Sequence, residues 1–345
     1  MTGAERNRAL LDHLQHAGHL SSLWRPPLEA LPRHRFIPAQ VWRHGDRTPV
    51  DRETDPGDWW DLVYSDEPVI TQRAPDGTPT SSNSKPSMVT AMLHHLDPQL
   101  GDAVLEIGTG TGWNAALLTH RAGPDRVTTL EVDPAVARSA EQALRQAGQT
   151  ARVVCADGER GWPDAAPYQR IVLTCSVRAV PATLLAQSAP GAVIVAPIWG
   201  AGLARLTANG MGAAQGRFVA GADFMPSRTL GSAFARPTGP SWKSPTELDT
   251  RCVADVGCQV HVHMRMPGVH LSGEQRDGTY QAWLDDGAGS AAHADGTGAV
   301  WEWGERPLWE ELEKAHADWE REGRPGPDRY WVTADSDGHR VRLAK

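Results

Sequence analysis

Val104-Leu105-Glu106-Ile107-Gly108-Thr109-Gly110-Thr111-Gly112 is an apolar run of strand character that passes into a glycine-rich turn and then into the helical stretch Gly112–Thr119. Glycines at such a turn permit backbone angles closed to other residues and let a ligand approach the main chain at a helix N-terminus. The same alternation continues outward. Arg126–Val132 reads as a strand, Pro134–Ala147 as a helix, Arg152–Cys155 and Arg170–Thr174 as strands, Pro181–Gln187 as a helix and Ala192–Ile198 as a strand, with Ala103–Ile107 the first strand of the set. Apolar strands separated by helices predict an α/β domain with a mostly parallel sheet covered on both faces. Leu203–Ala208 and Gln215–Ala220 are spaced like an antiparallel hairpin that finishes the sheet edge.

The glycines alternate as G-x-G-x-G, whereas a dinucleotide fingerprint asks for G-x-G-x-x-G. Glu106 stands two positions before the first glycine. A carboxylate there disfavours a pyrophosphate and suits the cationic methionine end of S-adenosylmethionine. The expected contacts from this turn are Gly108, Thr109, Gly110, Gly112 and Asn114. Glu131, at the end of the second strand and followed by Val132, is placed to accept both hydroxyls of a ribose. Asp157, after the third strand, is placed to accept from an adenine amino group while Gly158 makes room for the ring. Each residue alone reads equally as a cap or turn. Together, at successive strand C-termini, they mark the crevice in which such sheets bind ligands.

The rest of the chain frames this domain. Residues 4–19 carry Leu10, Leu11, Leu14 and Ala17 at helical spacing, and Pro26-Pro27 opens a short helix that Pro32 ends. From Trp42 to Ser84 the sequence is rich in Pro, Gly, Asp, Thr and Ser and reads as a long irregular stretch. Lys85–Leu96 is helical, with Met88, Met92 and Leu96 on one face. A Pro/Ser/Gly-rich linker over Arg236–Pro245 divides a domain of residues 1–235 from a C-terminal accessory domain of residues 236–345, a small α+β unit and a candidate peptide-recognition module. Seven of the 14 tryptophans lie from Trp242 onward, so the tail is expected to have its own core. Within it Arg251–Met266 reads as a strand, Trp309, Leu312, His316 and Trp319 as one helix face closed by Gly323 and Pro325, and Tyr330–Ala334 with His339–Leu343 as a hairpin around Asp337-Gly338. His261 and His263 then share a strand face near His270, but no cysteine or carboxylate spacing supports a metal, and none is expected.

A net charge of −8, from 34 Lys+Arg against 42 Asp+Glu, argues against nucleic acid as the main partner. Cys155, Cys175, Cys252 and Cys258 form no C-x-x-C pair, and the first two fall in runs that read as buried strands; reduced, packed thiols are expected. No stretch reaches the roughly 18 apolar residues of a membrane span, and the start lacks a signal-peptide core, so the expectation is a cytoplasmic protein with no membrane partner.

Over residues 5–225 the sequence resembles the protein-L-isoaspartate O-methyltransferase family. Pro32-Arg33-His34-Arg35-Phe36-Ile37-Pro38 is similar to the family's "PRE-FVP" segment, and Ser82-Asn83-Ser84-Lys85-Pro86 to its "TIS-x-P" active-site segment. Ser81–Ser84, Asn114–Leu118 and Leu173-Thr174-Cys175-Ser176-Val177 resemble more closely the branch found with ATP-grasp peptide maturases and with lanthipeptide and lasso-peptide systems, and Thr174 joins the cofactor set on that basis. The resemblance implies a Rossmann-like S-adenosylmethionine-dependent fold and O-methylation of a carboxylate. In the finer branch the target is an aspartate in a macrocyclised ribosomal precursor peptide, and the ester leads through succinimide to isoaspartate or a stable aspartimide. The family's repair activity on isoaspartate is the alternative. Ser82 stands where repair enzymes have Thr, Asn83 where they have an apolar residue, and the long tail reads as an addition they lack. Ser84 is the expected catalytic residue, hydrogen-bonding and orienting the substrate carboxyl, with Ser82 supporting it. A non-catalytic scaffold that only binds the cofactor is disfavoured by the intact Ser84 segment.

Overall fold

Val104–Ile107 has all four residues buried, and parallel neighbours flank it on both sides, Val127–Glu131 on one and Tyr168–Leu173 on the other. A strand covered above, below and along both edges favours apolar residues, and Glu106, the charged exception among the four, is held by hydrogen bonds from Asn114 and Thr129. In this computed structural model, which describes residues 1–230, 241–276 and 278–344, the chain forms two compact units. The first comprises Met1–Thr174, Thr183–Val195 and Ala208–Gly212, the second Cys175–Ala182, Ala196–Thr207 and Ala213–Lys345. The expected boundary at 235/236 lies outside the described residues.

In the first unit, Arg152–Cys155 pairs parallel to Val127–Glu131, and the strand that begins at Ser188 pairs parallel to Tyr168–Leu173. Helices Trp113–Ala122 and Pro134–Gln146 follow the first two strands. Asp133 opens the second helix by accepting from Ala135 and Val136 N–H, a side-chain cap of the usual kind. Arg152–Cys155 sits at the sheet end, so its first and last residues are exposed. Cys155 is therefore an exposed thiol and Cys175 a half-buried one, where buried strands were expected.

Residues 42–84 depart from the irregular stretch that their composition suggests. They contribute to a four-stranded antiparallel sheet in the order Pro49–Asp51, Gln40–Arg43, Val69–Arg73, Pro79–Asn83, with helix Pro56–Val63 between its strands. Ile37, Val41, Val50, Trp59, Leu62, Val63 and Val69 form its core. The strands are only three to five residues long, too short to show periodicity. Asp46, Asp51 and Asp76 close the turns by accepting N–H groups two residues on.

In the second unit, a five-stranded antiparallel sheet runs Trp242–Pro245, Ala299–Trp303, Ala291–Ala294, Thr279–Asp285, His270–Arg276. Helices Val256–Arg265 and Leu308–Arg321 contribute Cys258, Val262, Leu308, Trp309, Leu312 and Trp319 to its core. Trp242–Pro245, within the expected linker, is thus a strand. The stretch 251–266 is a short 3-10 turn followed by a helix rather than a strand. Its Val/His alternation misleads because Val260, His261, Val262 and His263 are all buried, so its polar residues do not mark an exposed face. The hairpin Gly202–Ala208 and Ala214–Ala220 does not finish its sheet. Ala214–Ala220 pairs in turn with Tyr330–Asp335, which pairs with Gly338–Leu343, a partner far along the chain that local pattern cannot reveal. Among the described residues no helix is long and apolar enough to cross a membrane.

Candidate active site

Gly108, Gly110 and Gly112 take φ of +93°, +51° and +85°, the left-handed region that disfavours any side chain. Space is as restrictive as torsion. A Cβ on Gly108 falls 2.5 Å from Thr174 Oγ1, the hydroxyl that donates to the Gly108 carbonyl at 2.6 Å. A Cβ on Gly110 falls 3.3 Å from the Ser82 carbonyl oxygen. The glycine turn and the Ser82 segment are therefore in backbone contact.

The acidic residues divide by burial. Glu131, half-exposed at its strand end, accepts the Gly110 N–H with one oxygen and the Asp133 N–H with the other, both at 3.0 Å. Val132 beside it is 45% exposed, an apolar surface at the mouth of the crevice. Glu106 lies wholly inside. Its carboxylate accepts from Asn114 Nδ2 at 2.7 Å and from Thr129 Oγ1 at 2.6 Å, and Thr109 and Thr129 share a further hydroxyl contact at 2.7 Å. Burial pushes the Glu106 carboxyl up to about 7, against the two hydrogen bonds that favour its ionised form. Its hydrogen bonds hold Asn114 and Thr129 behind the turn. Asp157 caps the next turn, accepting from Glu159 N–H at 3.0 Å. A Cβ on Gly158 falls 2.4 Å from Ile107 Cγ2, so the Asp157-Gly158 turn can lie against the first strand only with glycine there.

Ser82 and Ser84 are half-buried at the end of Pro79–Asn83. Ser84 does not cap the following helix. Lys85 holds the N-cap position without a side-chain cap bond, and Asp66 accepts the Ser87 N–H from outside at 2.8 Å. The Ser84 hydroxyl is spared that duty.

Sequence reasoning overlooked what holds this segment. Arg33 is fully buried, and its guanidinium donates to Asn83 Oδ1 and to the carbonyls of Val63, Ser65, Glu67, Asn83 and Ser84. Asn83 Nδ2 donates in turn to Thr111 Oγ1 at 2.8 Å. Arg33 belongs to the Pro32–Pro38 motif, Asn83 to the serine segment and Thr111 to the glycine turn, so one relay joins all three. The motif was visible, but its contact with the serines was not. The three histidines weighed as metal ligands do not converge. His261 meets Tyr330 Oη at 2.9 Å, His263 meets His339 at 2.8 Å, and the His270 ring lies tilted against Trp199 with centroids 4.3 Å apart.

A cradle that any Cβ would fill, an acid with free lone pairs at the second strand end, an exposed Val132 and a buried Glu106 behind the turn fit S-adenosylmethionine. A parallel α/β sheet carrying these features at successive strand ends defines an S-adenosylmethionine-dependent methyltransferase. Residues 48–218 match the family described as Protein-L-isoaspartate(D-aspartate) O-methyltransferase. The protein-L-isoaspartate O-methyltransferase of Methanopyrus kandleri is 33% identical over 193 residues, which is 55% of this chain and 75% of that protein, and that of Ignicoccus hospitalis is 32% identical over 199 residues, 56% of this chain and 82% of that protein. The chain belongs to the protein-L-isoaspartate O-methyltransferase family and is an S-adenosylmethionine-dependent protein carboxyl O-methyltransferase. In fold it is similar to a solved protein-L-isoaspartate O-methyltransferase over 98% of this chain and 100% of that one, with a TM-score of 0.58 and 18% sequence identity.

Proposed function

We propose that the enzyme methylates the carboxylate of an aspartate-derived residue in a peptide or protein, and in the first of two readings that is the free carboxylate of an isoaspartyl residue. The observation that carries this reading is the contact of the Ser82 carbonyl with Gly110, which sets the Ser82–Ser84 segment beside the cofactor turn. When bound, S-adenosylmethionine supplies an electrophilic methyl group on a sulfonium. A carboxylate is already a nucleophile at neutral pH, so no general base is needed, and alignment and exclusion of water do most of the work. Ser84 donates its hydroxyl proton in a hydrogen bond to the substrate carboxylate and aims the attacking oxygen, and Ser82 supports that orientation. The methyl ester then loses methanol as the following backbone amide nitrogen closes a succinimide, a step that needs no residue of this chain.

The second reading is methylation of an ordinary aspartate in a macrocyclised ribosomal precursor peptide, ending in isoaspartate or a stable aspartimide. It is favoured by Ser82, which is half-exposed and replaces the Thr of repair enzymes. Asn83 supports it less, since that side chain is buried between Arg33 and Thr111. Residues 236–345 are the proposed peptide-recognition part. There the half-exposed rings of Trp283, His293 and Trp301 stack in a row at 3.5 and 5.8 Å, with Lys243 over Trp301, a surface suited to an acidic peptide. Incubation with S-adenosylmethionine and two peptides, one isoaspartyl and one a cyclised aspartate-containing precursor, followed by mass spectrometry, decides between the readings. Methyl gain on the isoaspartyl peptide supports repair chemistry, gain and methanol loss on the precursor alone supports peptide maturation, and gain on neither overturns both.

A further inference from the structure

We infer that Cys252, Cys258 and His316 bind a thiophilic divalent cation, zinc in the first instance, as a staple across the second unit. One donor atom from each lies within 4.8 Å of the others. They come from three separate elements: the turn Thr250–Ala254, the helix Val256–Arg265 and the helix Leu308–Arg321. The spacing of Cys252 and Cys258 matches no C-x-x-C pair, and His316 reads as a helix-face residue, so the convergence is a product of the fold.

Two thiolates and an imidazole are a zinc donor set, and tetrahedral bonds of about 2.3 Å to sulfur and about 2.0 Å to nitrogen put the donors roughly 3.5–3.8 Å apart. The three side chains thus need to draw in by about an ångström. Glu320, one helical turn beyond His316, has a carboxylate oxygen 4.0 Å from His316 Nδ1, leaving the fourth position for that carboxylate or for water. Cys258 is fully buried, while Cys252 is half-buried and the His316 side chain is 15% exposed, so the cluster has a deep wall and an open side through which an ion can enter.

When a divalent ion binds, the two thiol protons leave to solvent. The gain is structural: the ion would tie both helices of the tail to the turn that precedes them, independent of methyl transfer.

The test uses the full chain, reduced and freed of metal with a chelator, then titrated with cobalt(II). The expected result is one equivalent bound with tetrahedral d–d bands and a thiolate charge-transfer band, displaced by zinc, and a melting temperature that zinc raises and chelator lowers. C252S and H316N should weaken cobalt binding on the order of 100-fold or more, with far-ultraviolet circular dichroism unchanged. Cys258 is left alone because its full burial makes loss of fold the ready explanation of any defect. No stoichiometric uptake, uptake undiminished in both variants, or a Cys252–Cys258 disulfide in freshly purified protein would each overturn the proposal.

Discussion

Arg33 Nε donates to Asn83 Oδ1 at 2.6 Å inside the protein, and both residues are almost completely buried. Burial lowers the guanidinium from its ordinary value to about 9, and Asp66, Tyr64 and Glu67 oppose that shift. The pair ties the serine segment to the Pro32–Pro38 motif, and through Thr111 to the cofactor turn. Asn83→Leu restores the apolar residue of repair enzymes but strands one N–H of a buried cation. The expected cost is about 2 kcal/mol, roughly 4–8 °C in Tm. Arg33→Met should cost more, because it leaves five carbonyls without their donor. Thermal denaturation of both variants checks the order; an Asn83→Leu protein as stable as the parent would remove Asn83 from this role.

Gly108 offers a test that separates torsion from space. Gly108→Ala meets both a φ of +93° and Thr174 Oγ1 at 2.5 Å from the new methyl group. Thr174→Ala takes away that oxygen and nothing of the torsion. S-adenosylmethionine affinity should fall at least tenfold in Gly108→Ala and recover only in part in the double variant, since about 1–2 kcal/mol of left-handed strain persists. Isothermal titration of the four proteins measures it, and full recovery in the double variant would show that torsion is immaterial here.

The parallel sheet and its strand-end residues were legible because each strand carries a short run of apolar residues between helical stretches and each acid or glycine stands at a fixed place beside it. The small sheet over residues 40–83 was not, because its strands are shorter than any readable period. The helix Val256–Arg265 was misread because its polar His261 and His263 are buried with Val260 and Val262, so the apolar/polar alternation does not mark an exposed face. Arg33 as a hub, and Cys252, Cys258 and His316 as neighbours, depend on pairings across distant sequence. Such pairings leave no local trace.

Ser84 should matter to turnover and not to cofactor affinity. Its hydroxyl is spared from helix capping by Asp66, so Ser84→Ala removes little from the fold. Methylation of whichever peptide proves to be the substrate should drop about 100-fold or more, with the S-adenosylmethionine Kd unchanged within twofold. Ser82→Ala should be milder. Single-turnover rates beside binding isotherms separate the two effects, and unaltered turnover in Ser84→Ala would sink the role assigned to it.

Glu106 predicts a pH dependence of cofactor binding near neutrality. Burial raises its carboxyl from 4.5 to about 7, with Thr129 and Asn114 acting against the rise and the nearby Glu131 charge adding to it. In the folded protein this group therefore keeps a proton that the unfolded chain has released. Its contribution to stability is complete below about pH 4.5 and is lost as pH climbs through 7. Cofactor affinity runs in the opposite direction. A cation in the crevice favours the ionised carboxylate, so binding expels the proton, and the Kd should be about tenfold weaker at pH 6 than at pH 8. Glu106→Gln keeps the shape and removes the charge. Its Kd should be weaker than the parent's at pH 8 and nearly flat from there to pH 6. Titration calorimetry in two buffers of different ionisation enthalpy reads the proton release directly. A parent protein with flat affinity and no proton release would mean that the buried charge is not felt in the crevice, leaving Glu106 as a holder of Asn114 and Thr129 alone.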